Sequence, residues 1–421
     1  MSSEATHAPK ETWNGAQRST LFAGVGSWTL DAFDYFILVF VLDAVAHGFD
    51  ASITAVSLAI TLTLVMRPVG ALIFGAVAEK IGRKPVLMIN IVIFAVIELL
   101  TALAPNLETF LTLRVIYGVA MGGIWGVASA LTMETIPQHA RGRVSGIFQA
   151  GYPLGYLIAS IVFGLCFDAI GWRGMFAVGV VPLLLAVFIF FFVKESPVWL
   201  AARGTPEKPK KPAFWPAVAK HWKVLIFTVV LMAAFNYFSH GTQDMYPTFL
   251  QEQHGFGSGT VSVIAISYNI AAIIGGVLAG TLSQRYGRKK IIMIFSLLAL
   301  PCIPLWAFAT GSWGLGIGAF LVQFMVQGAW GVIPAYLNEL MPEGTRAILP
   351  GFVYQLGNVI ASPNSVLQAS IASHTGGNYG LAMAIVAGSV AIIIAVMIYF
   401  GKETKNTTFV DRPASATPSG G

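Results

Sequence analysis

Gly75-x-x-x-Glu79-Lys80-x-Gly82-Arg83-Lys84 lies between two long apolar segments, and 205 residues later (280 − 75) the chain reads Gly280-x-x-x-Gln284-Arg285-x-Gly287-Arg288-Lys289. The same shift carries Trp125-Gly126 onto Trp330-Gly331, and Glu134-x-x-Pro137-x-x-x-Arg141 onto Glu339-x-x-Pro342-x-x-x-Arg346. One offset held across separate landmarks marks an internal duplication with both copies running in the same direction. The apolar runs around these landmarks reach the length of about 20 residues that crosses a bilayer.

Composition agrees. Of 421 residues, 56% are hydrophobic and 10% charged, whereas a soluble domain carries roughly 25% charge. Too little polar surface exists to face water on every side, so lipid is the solvent for most of the chain. The net charge of +6 does not mark a nucleic-acid binder, because Lys and Arg lie in short loops and tails rather than on one face. Cys166 and Cys302 fall singly in apolar runs, giving neither a metal-ligand spacing nor a disulfide framework. The first 19 residues are polar and carry no cleavable signal pattern.

The expected fold is therefore an all-α membrane protein of twelve transmembrane helices in two parallel six-helix halves. The halves cover residues 20–194 and 223–401, joined by a linker at 195–222 and flanked by polar tails at 1–19 and 402–421. The loops after spans 2, 4, 6, 8 and 10 hold Lys80, Arg83, Lys84, Arg141, Arg143, Lys208, Lys210, Lys211, Arg285, Arg288, Lys289, Lys290 and Arg346; the opposite loops hold only Arg173. The positive-inside rule places the basic loops and both termini in the cytoplasm of a multi-pass cell-membrane protein. Parallel halves around a midplane site are an architecture of secondary transporters.

The doubled Gly-x-x-x-acid-Arg/Lys-x-Gly-Arg-Lys loop resembles the hallmark of the major facilitator superfamily. In that family the loop stabilises a conformational state and does not bind cargo. The resemblance implies gating or structural roles for Gly75, Glu79, Gly82, Arg83, Glu134 and Arg141, and for Gly280, Arg285, Gly287, Arg288, Glu339 and Arg346. Glu79 stands where Asp is usual, and Gln284 replaces the acid altogether.

The duplication also supplies an internal control. Residues kept at the 205 shift serve the common scaffold; polar residues inside spans that are not kept need another reason. Asp31 maps to Asn236, Asp34 to Ser239, Tyr35 to His240, Arg67 to Ala272, Glu98 to Ile303 and Arg114 to Ala319. A charge near mid-bilayer costs at least about 3 kcal/mol, so such a side chain faces a partner or a wet cavity.

Span 7 carries the densest polar stripe, Asn236-Tyr237-Phe238-Ser239-His240-Gly241-Thr242-Gln243-Asp244-Met245-Tyr246-Pro247-Thr248. Asn236, His240 and Asp244 recur at i, i+4 and i+8, with Gln243 at i+7, so a helix puts all four on one face. A lone intramembrane His is commonly a hydrogen-bonded packing residue. One turn from a carboxylate, it is also a candidate for binding or proton transfer. The stripe resembles the signature of the Jen family of lactate/pyruvate proton symporters, Asn-x-x-Ser/Thr-His-x-Ser/Thr-Gln-Asp followed by a Thr. The resemblance implies substrate or coupling roles for Asn236, His240, Gln243 and Asp244. It extends to the Gln-x-x-Asn pair of span 11, Gln355 and Asn358, and to an intramembrane Arg of span 2, matched by Arg67. The related sialate proton symporters share many of these features.

Asp31 and Asp34 share a face of span 1 at i, i+3 and resemble the Asp-x-x-Asp of organic-acid proton symporters. Each is a candidate proton carrier or the partner of a neighbouring arginine. Arg67 and Arg114 each present a guanidinium fork suited to a carboxylate. Arg67 is expected to hold substrate. Arg114 is left open between substrate or coupling and a permanent ion pair with Glu98, Asp31 or Asp34. Among aromatic residues, most are expected to pack or face lipid, with Phe238 and Tyr354 as candidate cavity walls.

The expected function is proton-coupled symport of a small monocarboxylate, lactate- or pyruvate-like, by alternating access. The alternatives are a larger acid such as a sialate or an aromatic acid, and a carboxylate sensor without net flux. No nucleophile pair, phosphate loop or metal-ligand set is present, so no enzyme activity, cofactor or metal is expected. The expected partners are an organic acid, protons and the lipid bilayer, with a monomer as the functional unit.

Overall fold

A computed structural model describes residues 13–408, apart from 52, 205–215, 217–218, 247–248, 343–344 and 347. The expected roles of Thr248 and of Lys208, Lys210 and Lys211 lie outside the described residues. The described residues are helical throughout, with no strand. Among the described residues, eleven helices are long and apolar enough to cross a membrane: Gly15–Val41, Leu58–Ile81, Arg83–Ala102, Leu107–Thr135, Gln138–Phe167 and Ala169–Phe192 in the first half, then Trp222–Gln243, Gly259–Tyr286, Arg288–Phe308, Ser312–Leu340 and Tyr379–Phe400. The first helix starts inside the expected tail, because Asn14 and Gln17 form a capping box that fixes its beginning.

The eleventh expected span, 349–374, is broken into Leu349–Ala361 and Asn364–His374. Pro363 sits at the break and has no N–H to continue the ladder. Broken backbone at membrane depth is tolerated where it lines a cavity, and Asn358, Ser362 and Pro363 do line one. Span 4 is likewise interrupted, at Gly123, between Leu107–Gly122 and Ile124–Thr135.

The two basic motifs are built alike. Gly82 (φ +112°) and Gly287 (φ +100°) turn the chain through a region that only glycine enters without strain. Each delivers an arginine to a buried carboxylate. Arg83 reaches Glu134 at 3.2 Å through both Nε and Nη2 and Glu79 at 2.9 Å. Arg288 reaches Glu339 at 3.1 and 3.0 Å. A further acid crowns each motif. Glu195 accepts from the backbone N–H groups of Arg83 (3.0 Å) and Lys84 (3.1 Å), and Glu403 from those of Arg288 (2.9 Å) and Lys289 (3.2 Å). Both are anions placed at a helix N-terminus, where the free N–H groups and the dipole favour them. The next residue in each copy, Ser196 or Thr404, donates its hydroxyl to Glu134 or Glu339. The linker therefore does more than join the halves: helix Pro197–Gly204 docks on the first motif through Trp199 Nε1 to Glu79 O and Arg203 Nη2 to Lys80 O.

The halves close on each other at this motif-bearing end. Span 5 lies on span 8 through glycines. A Cβ on Gly280 would stand 2.5 Å from Gly142 O and 2.7 Å from Gly146 N, and one on Gly146 would strike Gly276 O. Gln284, the odd residue of the second motif, accepts from Gly142 N (2.9 Å) and Arg288 Nη2 (3.1 Å), so it ties one half to the other. Asn338 donates to Ser129 and Ala335 N to Ser145 across the same seam. Residues 402–408 form a strap over it. Lys405 O accepts from Gln138, and Thr407 O from Arg141, both in the first half; Lys405 Nζ donates to Arg285 O in the second.

Candidate functional site

Above the glycine seam the halves part. Span 5 leaves the seam at Gly146 and reaches Tyr156 about 15 Å further on, at 1.5 Å per residue. There a cavity of about 350 Å³ opens, walled by Tyr35, Tyr152 and Tyr156 from the first half and by His240, Gln243, Asp244, Tyr268 and Asn269 from the second. A second lobe of about 240 Å³ shares Tyr35, His240 and Asp244 and adds Asn358 and Ser362. Beneath lies an aromatic floor: Tyr354 stacks on Trp125 with centroids 4.8 Å apart and meets Trp28 and Trp330 edge-on.

Three residues of the span 7 stripe, His240, Gln243 and Asp244, face this space. His240 Nδ1 lies 3.2 Å from Asp244 Oδ1, and Asp244 is exposed to the cavity. The stripe is held from behind by glutamines of span 10. Gln323 donates to Thr242 Oγ1 at 2.9 Å, Gln327 to Ser239 at 3.0 Å, and Gln243 donates to Gln323 Oε1 at 2.9 Å. Asn236, one turn deeper, lines neither lobe: it is buried and donates to Met232 O of its own helix. Asn358 lines the second lobe and donates to Gln355 Oε1 at 3.1 Å, while Gln355 itself is buried behind it.

Arg67 also lines neither lobe. It is buried behind Tyr35, with its guanidinium carbon 5.7 Å from that ring, and Nη1 pairs with Asp31 Oδ2 at 3.3 Å. Arg67 Nε and Nη2 and Asp31 Oδ1 are buried without a hydrogen-bond partner. Asp34 points elsewhere, toward Glu98, Arg114 and Tyr117. Arg114 is sealed in the first half. It donates to Glu98 Oε1 at 2.9 Å and Thr101 Oγ1 at 2.6 Å, and lies 4.2 Å from the centre of the Tyr117 ring. Of the two readings open for Arg114, the ion pair with Glu98 is the one the geometry displays. Removing one partner of a buried pair costs about 3–5 kcal/mol. Arg114→Leu is therefore expected to lower the folded yield and thermal midpoint sharply, and Arg114→Leu with Glu98→Leu to recover most of the loss. A single variant as stable as the double one would refute the pairing argument.

Sequence reasoning missed most of the walls. Phe238 is fully buried and Tyr354 forms floor rather than wall, whereas Tyr35, Tyr152, Tyr156, Tyr268 and Asn269 line the space. Tyrosine carries no insertion cost that would flag it. A signal existed in the 205 shift, which turns none of these tyrosines into another tyrosine.

A bundle of like-oriented halves with a polar cavity between them is a membrane carrier. The chain matches the Major Facilitator Superfamily over residues 26–362 and 245–419, and it belongs to that family. It is 31% identical over 429 residues to a carboxylic acid transporter protein homolog of Saccharomyces cerevisiae, covering 94% of this chain and 69% of that one. It is 24% identical over 392 residues to the sialic acid transporter NanX of Escherichia coli, covering 92% and 94%. Among solved structures, the proton:xylose symporter XylE bound to 6-bromo-6-deoxy-D-glucose superposes with a TM-score of 0.76 at 19% identity, covering 94% and 98%. That likeness establishes the fold. These relatives are transporters, and the protein is a multi-pass membrane transporter of this family rather than an enzyme.

Proposed function

We propose that the protein carries a monocarboxylate together with a proton across the cell membrane by alternating access, one chain sufficing because both halves wall the cavity. The carrying observation is the His240–Asp244 pair, exposed in a cavity between the halves with Asn358 beside it. The basic loops put the closed motif end in the cytoplasm, so the cavity is the outward-facing state, and residues 13–19 and 402–408 lie on the cytoplasmic side.

Coupling follows from charge. Arg67 spends only Nη1 on Asp31, and its Nε and Nη2 are without a hydrogen-bond partner. A proton on Asp31 removes the competing anion, so the guanidinium charge is left for the carboxylate of the cargo, with Nε and Nη2 as its donors. Proton and anion then arrive as a neutral pair, which lowers the electrostatic cost of closing the cavity. His240 and Asp244 relay the proton at the mouth; Asn358, with Gln355 behind it, orients the 2-oxygen of a lactate- or pyruvate-like acid. The span 7 stripe and the carboxylic acid transporter relative support that cargo. A larger acid is the second reading, favoured by a cavity already within the range of about 300–1,000 Å³ that holds drug-sized ligands.

The test is uptake of labelled lactate, pyruvate, a sialate and benzoate into proteoliposomes with and without an inward proton gradient. Uptake indifferent to the gradient sinks symport. His240→Ala and Asp244→Asn are expected to reach only equilibration levels at normal expression. Wild-type accumulation in both removes span 7 from the mechanism.

A further inference from the structure

The larger lobe is a ring of tyrosines that the duplicated scaffold does not require. Tyr35, Tyr152, Tyr156 and Tyr268 come from spans 1, 5 and 8 and meet around one space. At the 205 shift they correspond to His240, Gly357, Ala361 and Thr63 (35 + 205, 152 + 205, 156 + 205, 268 − 205). Two of those counterparts do scaffold work. A Cβ on Gly357 would stand 2.6 Å from the Met232 backbone, and the Thr63 hydroxyl bonds to Ala59 O (2.8 Å) and Arg114 O (3.2 Å). The tyrosines therefore answer a need of the cavity, not of the bundle.

Their arrangement shows what need. Phe36 meets Tyr156 edge-on, with centroids 4.3 Å apart at 86°, and Tyr152 at 5.6 Å, and Tyr152 stacks on Trp28 at 5.4 Å. The wall is braced ring against ring, and it offers faces, edges and phenolic hydroxyls. A three-carbon acid has no π-face to set against it and is served by the smaller lobe at Asn358 alone. A benzoate-type acid matches both lobes: carboxylate toward Asn358, ring between the tyrosines of span 5 and Tyr268.

We infer that the tyrosine-lined lobe is a subsite for an aromatic ring, which makes aromatic monocarboxylates the preferred cargo class. The inference rests on the carrier reading above, and binding and transport are measured separately so that each can fail alone. Benzoate and lactate are titrated against the purified full chain by tryptophan fluorescence, which reports on Trp28 beside Tyr152. Gradient-driven uptake of both acids is then followed in proteoliposomes. Benzoate is expected to bind at least tenfold tighter than lactate. Loss of one aromatic contact is worth roughly two- to tenfold, so Tyr156→Leu should cut the benzoate-to-lactate preference by about that factor, and Tyr156→Phe, which keeps the ring, should retain it. Lactate binding as tight as benzoate, no benzoate binding, or a preference unmoved by Tyr156→Leu in folded protein overturns the subsite. Benzoate binding without gradient-driven uptake of either acid overturns the carrier reading and leaves the subsite standing.

Discussion

Arg67→Gln is expected to cut concentrative uptake by at least about 30-fold, while leaving a protein that still reaches the membrane in reduced amount. Two effects add. The cargo carboxylate loses the guanidinium donors proposed for it, and removing one member of a buried, hydrogen-bonded charge pair costs about 2–5 kcal/mol, where 1.4 kcal/mol is about tenfold. Asp31, 3.3 Å from Arg67 in the intact protein, is also left as a buried carboxylate without its partner, which explains the lower yield. The two effects separate in the double variant Arg67→Gln with Asp31→Asn. The neutral pair should restore yield and thermal midpoint but not uptake. If the double variant transported like wild type, Arg67 would be a structural partner of Asp31 and not a ligand for cargo.

Gly146→Leu should be as damaging for a different reason. In the closed motif end, position 146 faces the backbone of Gly276 and Val277, and even a Cβ meets Gly276 O and lies 2.9 Å from the Val277 Cα. The obstacle is main chain, which cannot rotate aside. A leucine forces spans 5 and 8 apart and holds the carrier open at that end. Uptake in the variant should fall to background while the fold survives, because the open state has no such contact. Cysteine labelling reads the state directly: a cysteine replacing Ser145, which accepts from Ala335 N across the seam at 3.0 Å, should react with a thiol reagent applied to the motif face far faster in Gly146→Leu than in its parent. Equal labelling rates would show that the glycine seam does not set the conformation.

The architecture was legible because duplication and hydropathy are both written along the chain. One offset placed the two motifs, their arginines and the partner acids Glu134 and Glu339, and the structure joins each set at about 3 Å. The offset also hid something. Lys194-Glu195-Ser196 and Lys402-Glu403-Thr404 form a second repeated pair, but at a shift of 208 (403 − 195), so a fixed frame of 205 passes over the acids that crown the motifs. At the cavity, helical periodicity correctly faced His240, Gln243 and Asp244 together. It could not tell that Asn236 lines neither lobe, because which residues of one face reach the space depends on the side chains that other spans pack against it. Asp31 and Asp34 share a face in one dimension, yet the packing of neighbouring helices delivers one to Arg67 and the other to the Glu98–Arg114 pair. Partner choice is a tertiary fact. The tyrosines were unreadable by cost, since an aromatic ring enters lipid freely and looks the same whether it packs or recognises.

The strap at 402–408 has a consequence for the transport cycle. It grips carbonyl to side chain, through Gln138 and Arg141 on one lobe and Arg285 on the other, and these grips exist only while the lobes touch. On the proposed alternating-access cycle, every turnover has to peel the strap and lay it back. On that cycle the strap weights the equilibrium toward the state whose mouth faces away from the basic loops, and binding of cargo has to offset its grip.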